Sequence, residues 1–577
     1  MHSSGAWINL TGSSLLLLTT SLPKAIAQST PPPGVELPPD TPETIEQSVP
    51  DRPSEPPDSV PEEPAEQPPP SLQLPTSPEP SEDPALPEVS FPVERIHVQG
   101  NTVLDEDIAR LVAQYENRDV TFSELLTLRS EITQLYTRNG YITSGAFLPT
   151  NQVLEDGVVE IQVVEGEIER IDVRGLRHLQ ESYVRDRIQL RTDPPLNQAD
   201  LEEALQLLQI DPNVARVNAE LTAGTTPGQN ILLVELDERS PFRAGIGGDN
   251  YRPPSIGSGQ LSVQASYSNL IGVGDRIGAE YGRTDGLDIF DVGLSVPLNA
   301  REGTFSFQFN SSESEIVDDE FEDLEIQSET RTYSVSFRQP LLRKPEREFA
   351  VGVGFDLRRR TTFILDDIPF SFSEGPEEGQ SNTSVVRFFQ DWVDRGPRRV
   401  LAARSQFSFG IDAFNATVND LGTDARFFSW VGQFQWVQQL SSRNLVITRL
   451  SSQLTPDSLL SLEQFSIGGV DTVRGYAQNQ LVADNGVLGG VEFRIPVTAN
   501  PQRLQLAPFV EAGTVWNNRT PDPDPSTIVG VGLGLRLLIG SDLVARLDYG
   551  IPLIDVDNDS SSLQEDGLYF SLRYQPF

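Results

Sequence analysis

Two short segments in the C-terminal half of the chain contain residues that could form a charge pair. One reads G-G-V-D-T-V-R-G-Y from Gly468 to Tyr476, and the other reads F-V-E-A-G from Phe509 to Gly513. Arg474 offers a planar fork of N–H donors that suits a carboxylate, and the glycines around it allow a tight loop. We therefore expect Arg474 to pair with Glu511 inside the polar lumen of a barrel. The alternative is that Glu511 is an ordinary lumen carboxylate.

The composition argues against most catalytic chemistry. The 577 residues include no Cys and only three His, which excludes disulfides and thiol catalysis and leaves no His spacing typical of a zinc site. The formal net charge of −41 argues against nucleic acid as a partner, because phosphate binding needs clustered Lys and Arg. No nucleophile elbow, P-loop or dinucleotide fingerprint occurs. We predict no enzymatic activity, no metal site and no cofactor.

The N-terminus is typical of a secretory signal peptide over residues 1–27. An apolar run centred on Leu15 to Leu18 precedes a small-x-small cleavage site, Ala25 to Ala27. The run is too short and too interrupted for a spanning helix, and no other segment approaches the about 20 apolar residues that such a helix needs. If the mature chain lies in a membrane, we expect a closed barrel, which satisfies its own backbone hydrogen bonds.

Residues 28–90 are dense in Pro, Glu, Asp and Ser, with Arg52 as the single basic residue. Such a composition cannot bury a core, so we predict an extended, disordered linker. The linker is either a plain spacer or a tether that reaches across or through the cell wall.

Residues 91–166 and 167–239 are predicted to form two similar α+β units with the order β-α-α-β-β. Both open with the pattern E-R-I-x-V-x-G, at Glu94 and at Glu169. Apolar spacing and alternation predict helices over 105–115, 122–136, 180–190 and 198–209, and later strands over 141–148, 158–164, 214–223 and 230–238.

From residue 240 to residue 577 the chain alternates between an apolar face and a face of Gly, Ser, Gln or charged residues, as over 349–357 and 529–537. A soluble β-sandwich also alternates. The signal peptide and the many consecutive strands favour an all-β transmembrane barrel of about 16 strands. We predict long external loops over 311–330 and 366–383.

The last segment, Leu568 to Phe577, reads as an alternating strand that ends in an aromatic residue. This ending resembles an outer-membrane insertion signal, with Tyr574 and Phe577 as its candidate residues. Phe577 is out of phase with Tyr574 because Pro576 intervenes, so the register there stays open.

The two opening segments together resemble the hallmark pair of the Omp85 superfamily of outer-membrane barrels, V-R-G-Y followed by F-x-D-x-G, with Glu511 at the usual Asp position. The resemblance implies a loop that enters the barrel from the outer side and pairs Arg474 with Glu511, with Tyr476 packed beside the Arg. The implied loop motif is Val473, Arg474, Gly475 and Tyr476, and the implied wall motif is Phe509, Glu511 and Gly513.

The two α+β units look like POTRA domains, and the first carries a second series of motif residues. The series reads Tyr136-x-x-x-Gly140-Tyr141-x-x-Ser144, Leu148-Pro149 and Glu165-Gly166. It resembles the POTRA region of two-partner secretion transporters, the haemolysin secretion/activation protein family.

A POTRA edge strand can accept an extended peptide by β-augmentation. The alternative is that the edge contacts only solvent and binds no client. We predict a client-binding edge in the first unit, formed by Tyr141, Ser144, Phe147 and Leu148. The resemblance implies an outer-membrane pore whose periplasmic POTRA domains recognise an unfolded secreted partner and whose barrel exports it. The implied partners are a large β-helical adhesin or haemolysin, outer-membrane lipid, and the barrel assembly machinery during insertion.

Two other functions stay open. An outer-membrane assembly factor of the same superfamily usually carries more than two POTRA domains, and a passive porin leaves the POTRA domains unexplained. Members of the family often plug the pore with an N-terminal helix, but no helical pattern occurs between the signal peptide and residue 93.

Overall fold

The computed structural model describes residues 71–73, 90–150, 152, 157–318, 321–365, 368–420, 422–441, 443–556 and 562–576. The predicted signal peptide, almost all of the predicted linker and Phe577 lie outside these residues. The first described element is the short strand β1 (Ser71–Gln73). In the described part of the chain, no helix is long and apolar enough to cross a membrane.

The first α+β unit packs two helices on a three-stranded sheet of order β3-β6-β5. Its elements are β2 (Ser90–Val93), β3 (Arg95–Gln99), α1 (Asp105–Val112), β4 (Arg118–Thr121), α2 (Phe122–Arg138), β5 (Gly145–Phe147) and β6 (Val158–Val164). A capping box starts α2, because the side chains of Thr121 and Glu124 each accept a hydrogen bond from the other's backbone N–H. The core of this unit lies between the helices and the sheet and includes Leu128, Ile132 and Ile161.

The second α+β unit repeats this layering with its own core. It comprises β7 (Glu167–Arg174), α3 (Glu181–Gln189), α4 (Gln198–Gln209), β8 (Val214–Ala223) and β9 (Gln229–Glu238). The sheet order is β1-β8-β9-β7, so β1 adds a parallel strand at the outer edge of β8. Within the predicted linker, residues 71–73 thus form a strand, because their backbone pairs with an edge that would otherwise be unsatisfied.

The C-terminal part forms a closed antiparallel barrel of sixteen strands, with the two-residue β17 attached to the end of β16. The bounds are β10 (Phe242–Asp249), β11 (Gln260–Ser268), β12 (Arg276–Arg283), β13 (Leu287–Pro297), β14 (Thr304–Glu315), β15 (Gln327–Arg343), β16 (Arg347–Ile364), β17 (Ile368–Pro369), β18 (Gln380–Gly396), β19 (Arg399–Gly410), β20 (Phe428–Gln439), β21 (Leu445–Leu454), β24 (Asn485–Pro496), β25 (Leu504–Trp516), β26 (Thr527–Ile539), β27 (Leu543–Pro552) and β28 (Leu568–Tyr574). The first and last strands close the barrel, with Ile246 opposite Tyr574 and Asp249 opposite Ser571. The strand count agrees with the prediction.

The outer face of the barrel is apolar and the inner face polar. Val510, Leu533 and Val544 point outward and are each about half exposed, at 47%, 47% and 49%. On β25 the alternate residues Phe509 and Glu511 point inward and are buried. This arrangement inverts that of a soluble barrel and suits a lipid surround.

The connections at the two ends of the barrel differ in length. The turns at the end nearest the second α+β unit are short, as between β18 and β19, whereas most connections at the other end are longer. The predicted loops over 311–330 and 366–383 are shorter than expected, because β14 runs to Glu315 and β18 begins at Gln380. The strands of these hairpins stay paired beyond the apolar outer band of the barrel. The sequence there is polar and lacks the apolar alternation from which strands were predicted.

One long connection, residues 455–484 between β21 and β24, is called the inner loop. It contains a 3₁₀ turn (Ser461–Glu463) and a small hairpin of β22 (Phe465–Ile467) and β23 (Leu481–Ala483). Ile467 and Leu481 belong to a buried apolar cluster with Val515 and Ile528 of the barrel wall. The inner loop is therefore packed inside the barrel.

Candidate functional site

The tip of the inner loop carries the V-R-G-Y residues and turns tightly against the wall. Gly475 has φ of 108°, a conformation that residues with a side chain rarely adopt. A Cβ at Gly475 would meet the backbone N of Pro552 at 3.0 Å, so the tip lies directly against β27. Gly468 and Gly469 also have positive φ and shape the start of the tip.

The structure brings Arg474 and Glu511 together as the motifs predict. The backbone N–H of Arg474 donates to Oε2 of Glu511 at 2.9 Å, and Nε of Arg474 lies 3.1 Å from both carboxylate oxygens. Nη2 of Arg474 donates to Oε1. Arg474 is 1% exposed and Glu511 8%, so this pair is dry and each charge needs its partner.

Two further carboxylates hold Arg474 and were not predicted from the sequence. Its Nη1 lies 3.0 Å from Oε2 of Glu492 on β24 and 2.8 Å from Oδ1 of Asp548 on β27. One guanidinium thus joins three wall strands. We call Arg474 with its three carboxylates the tip anchor.

The wall carries its own cations around the tip anchor. Arg494 and Arg536 pair with Glu492 at 3.0 and 3.1 Å, and Arg536 and Arg546 pair with Asp548 at 2.9 and 2.6 Å. Within the part of the chain that the structure describes, Glu511 pairs with Arg474 alone, whereas Glu492 and Asp548 each have further cationic partners. If Arg474 moved away, Glu492 and Asp548 would therefore stay paired, whereas Glu511 would lose its cationic partner.

Aromatic residues fix the tip from its other sides. The ring of Phe509 lies 3.4 Å from Cζ of Arg474, a cation–π contact. The hydroxyl of Tyr476 lies 2.9 Å from the carbonyl oxygen of Val529 and 3.0 Å from that of Ile554, so this side chain ties the tip to the wall. The hydroxyl of Tyr569, on β28, accepts the N–H of Gly475 at 2.9 Å.

The other wall-motif residue, Gly513, leaves room for the hairpin of the inner loop. A Cβ at Gly513 would meet Cδ1 of Ile467 at 3.0 Å. Val473 is fully buried in the same apolar cluster. The predicted motif residues thus meet in one place.

The predicted client edge in the first unit is shorter than expected. Only Gly145–Phe147 forms the edge strand β5, and Phe147 is its exposed apolar residue, at 45%. Tyr141 packs edge-on against Tyr136, and Leu148 packs against the core. The strand prediction from residue 141 is wrong because Tyr141 and the turn after it cap the end of α2.

The rest of the motif series forms the junction between the two α+β units. Ser144 Oγ accepts the N–H of Gly166 at 2.9 Å, and the carbonyl of Gly166 accepts the N–H of Leu196 at 2.7 Å. The carbonyl of Gly140 accepts the N–H of Gln198, the first residue of α4, at 2.9 Å. These contacts explain why Gly140, Ser144 and Gly166 occur at this spacing.

Glu165 lies beside this junction and closes the first unit. Burial alone would raise the pKa of Glu165, but hydrogen bonds from Thr102, Tyr136 and Val103 outweigh it and hold the pKa below its usual value. The same environment raises the pKa of Tyr136, chiefly through burial and then through its hydrogen bond to Glu165.

At the C-terminus, β28 carries the predicted alternation. Phe570, Leu572 and Tyr574 point outward and are exposed, whereas Tyr569 points inward and is fully buried. Tyr574 is the last residue of the barrel-closing strand.

The family model described as haemolysin secretion/activation protein ShlB/FhaC/HecB matches residues 228–537, and the ShlB-type POTRA domain model matches residues 91–166. The chain belongs to the haemolysin secretion/activation protein family. The first α+β unit of this family member is accordingly a POTRA domain, here POTRA 1, and the second is called POTRA 2.

Curated relatives of this family member are similar over most of their length. The outer membrane transporter CdiB of Escherichia coli is 25% identical over 430 residues, which cover 72% of this chain and 71% of CdiB. The hemolysin transporter protein HpmB of Proteus mirabilis is 22% identical over 414 residues, covering 69% of this chain and 70% of HpmB. The chain is an outer-membrane transporter of two-partner secretion, with its POTRA domains in the periplasm and a secreted protein as its client.

Solved structures share the fold. CdiB from Escherichia coli has a TM-score of 0.65 at 22% identity, covering 87% of this chain and 92% of that chain. BamA from Haemophilus ducreyi lacking POTRA domains 1–3 has a TM-score of 0.53 at 14% identity, covering 84% and 100%. The fold of this chain is therefore shared with both solved structures.

Proposed function

We propose that this family member exports its client through the barrel lumen and that the tip anchor holds the inner loop closed until the client arrives. The observation that carries the proposal is the single buried Arg474, which joins three inward carboxylates on three strands. A loop held in this way obstructs the lumen. When Arg474 leaves, Glu492 and Asp548 keep their wall arginines, and Glu511 loses its described cationic partner. The closed loop is thus held by three carboxylates, and opening leaves one of them unpaired.

The client we propose is a large β-helical adhesin or haemolysin that reaches POTRA 1 unfolded. The naming of a relative as a hemolysin transporter supports this class. Phe147, on the exposed side of β5, offers an apolar contact at the edge of the sheet. Lipid contacts the apolar outer face, the barrel assembly machinery inserts the chain, and the transporter moves its client without catalysing a reaction.

The test of the tip anchor replaces Arg474 with Ala. The expected result is a folded barrel at parental levels with impaired secretion, because the loop no longer returns to its closed position. The matched control is Arg331→Ala, since Arg331 is an exposed barrel arginine whose carboxylate partner, Glu329, is exposed as well. Normal secretion by the Arg474→Ala variant at normal protein levels would contradict the proposal.

Exchange of the two charges offers a second measure of the pair. The double variant Arg474→Glu with Glu511→Arg is compared with each single variant, and the coupling is the departure from additivity. Independent effects on secretion would mean that the pair does not act as a unit.

A further inference from the structure

The inner loop has a second buried ionic contact, which none of the motifs contains. Glu463 ends the 3₁₀ turn at the base of the loop and is 8% exposed. Its carboxylate lies 3.0 Å from Nη2 of Arg387 on β18 and 3.3 Å from Nη1 of Arg358 on β16. We call Glu463 with these two arginines the base anchor.

Neighbouring contacts seat the base of the loop on the same wall. Nη1 of Arg358 donates to the carbonyl of Leu462 at 2.6 Å, and Nη1 of Arg360 donates to Ser461 Oγ at 3.2 Å. The three residues of the 3₁₀ turn are thus all bound by arginines of β16 and β18. The turn is too short to position itself, so the wall arginines determine where it lies.

The two anchors lie on different parts of the barrel wall. Going round the ring from β18 to β25, which carries Glu511, one passes four strands, β19, β20, β21 and β24. This separation is about a third of a turn in a ring of sixteen strands. The inner loop therefore bridges two separate parts of the wall.

The polarity of the two anchors is reversed. At the tip, a loop cation binds wall carboxylates, and at the base, a loop carboxylate binds wall cations. Both contacts are buried, and a buried charge whose partner is removed no longer favours its position. The position of each end of the loop is thus determined by a different part of the barrel wall.

We propose that Glu463 is a positioning residue that forms a second lock, and that the base anchor is required to keep the lumen closed. Loss of the Glu463 charge removes the ion pairs with Arg387 and Arg358, loosens the base of the loop from β16 and β18, and opens a path between the loop and that wall. The barrel itself stays closed, because its strand pairing does not involve Glu463.

The first test measures ion conductance of the full-length Glu463→Gln variant in planar bilayers. Gln keeps the shape of the side chain and removes the charge, so conductance should rise several-fold over the parent. The matched control is Asp391→Asn: Asp391 also lies between two lumen arginines, Arg338 at 3.0 Å and Arg404 at 3.4 Å, but all three belong to the wall. Its conductance should equal that of the parent.

A reversible tether tests whether the rise comes from movement of the loop base. The hydroxyls of Thr423 and Ser458 are 2.9 Å apart, so Cys at both positions places two thiols side by side. Ser458 precedes Glu463 by five residues in the inner loop, and the chain has no Cys of its own. In the Glu463→Gln background, Thr423→Cys with Ser458→Cys should return conductance to the parental level when oxidised and release it when reduced.

The control for the tether is a pair with the same hydroxyl separation inside the wall. Thr514 and Thr527 face each other on β25 and β26 with their hydroxyls 2.9 Å apart. Oxidation of Thr514→Cys with Thr527→Cys should leave the open conductance of Glu463→Gln unchanged. If Glu463→Gln does not reach the membrane, Arg358→Gln removes part of the same anchor from the wall side.

Two results would overturn the second lock. One is a parental conductance for folded Glu463→Gln, and the other is a raised conductance that the oxidised base tether does not lower. The first would make the base anchor dispensable for closure, and the second would place the leak elsewhere. Folding is checked in every variant by the heat-modifiable mobility of the barrel.

Discussion

The replacement of the usual Asp by Glu511 has a local accommodation in the opposite strand. Gly490 faces Glu511 across β24 and β25, and a Cβ there would lie 2.8 Å from Cγ of Glu511. The absent side chain leaves space for the additional methylene. Glu511 reaches both the backbone N–H and the guanidinium of Arg474, so its greater rotamer freedom is lost in exchange for several hydrogen bonds.

The seating of the tip depends on a second glycine, Gly530. A Cβ at Gly530 would lie 2.0 Å from the carbonyl oxygen of Arg474, a backbone atom that cannot rotate away. Gly530→Ala should therefore displace the tip and lower the free energy of unfolding in urea by about 1–3 kcal/mol, as overpacking does.

The control for this prediction is Gly293→Ala on β13, where an added Cβ meets nothing within 4 Å. Its free energy of unfolding should change by no more than about 0.5 kcal/mol. Equal stability of the two variants would show that the tip tolerates movement away from β26.

At this scale the sequence predicted some partners and missed others. Arg474 and Glu511 were found because each lies in a recognisable motif. Glu492, Asp548 and Glu463 are single carboxylates on segments that resemble many others, and barrel curvature alone brings them to the arginines. The sequence offered one indication of these partners. Residues two apart on a strand share a face, so Glu492 lies beside Arg494 and Asp548 beside Arg546 on the inner side.

Among the elements, α4 ties the two POTRA domains together through its first turn. Oδ1 of Asn197 accepts the N–H of Ala199 at 2.9 Å and caps the helix, and Nδ2 donates to the carbonyl of Asn139 in POTRA 1 at 3.1 Å. Asn197→Ala should cost about 1 kcal/mol for the lost cap, with a further loss from the junction.

Asn197→Asp separates these two roles. Asp retains the cap acceptor but has no donor for Asn139, so it should be more stable than Ala and less stable than the parent. The measurement is urea unfolding of a periplasmic fragment, residues 90–239. Identical stability of Asp and Ala variants would mean that the cap contributes nothing.

The same fragment should show a pH dependence from Glu165. The pKa of Glu165 is depressed in the folded state, so its contribution is present above the unfolded pKa and is lost as pH falls through the folded pKa. Between about pH 5 and pH 3 the parent should lose stability more steeply than Glu165→Gln, which has no such group. Parallel stability curves for the two proteins would contradict this assignment.

Predictability at the element scale followed the strength of the local pattern. The bounds of α4 and β8 agree with the predicted 198–209 and 214–223 because their apolar spacing is uninterrupted. β5 is much shorter than the predicted 141–148, because contacts of Tyr141 with α2 override its strand propensity. β1 could not be predicted, since its pairing with β8 is set by an available edge and not by its own sequence.

At the scale of the whole molecule, POTRA 2 is docked on the inner end of the barrel. The N–H of Gln180 donates to the carbonyl of Gly272 in the turn between β11 and β12 at 2.9 Å. Glu203 pairs with Lys344 of the turn between β15 and β16 at 3.2 Å. The POTRA domains thus lie at the periplasmic mouth of the lumen, which the inner loop crosses farther in.

The two POTRA units and the sixteen-stranded barrel were predictable because period-two alternation and repeated motifs act along the chain. The path of the inner loop was not, since it depends on which strands of the closed ring face one another. The separation of β18 from β25 round the ring has no counterpart in the sequence.

The last prediction concerns the client range of the whole transporter. A two-POTRA chain with a loop that crosses its lumen suits one or two dedicated clients, because every passage requires the loop to move. Deletion of the gene should remove one or two large proteins from the secreted fraction and leave the levels of other outer-membrane barrels unchanged. Complementation with the parental chain should restore them, and complementation with Arg474→Ala should not. A general fall in barrel proteins, or lethality, would instead indicate an assembly factor of the superfamily, for which secretion of any single protein is only a secondary effect.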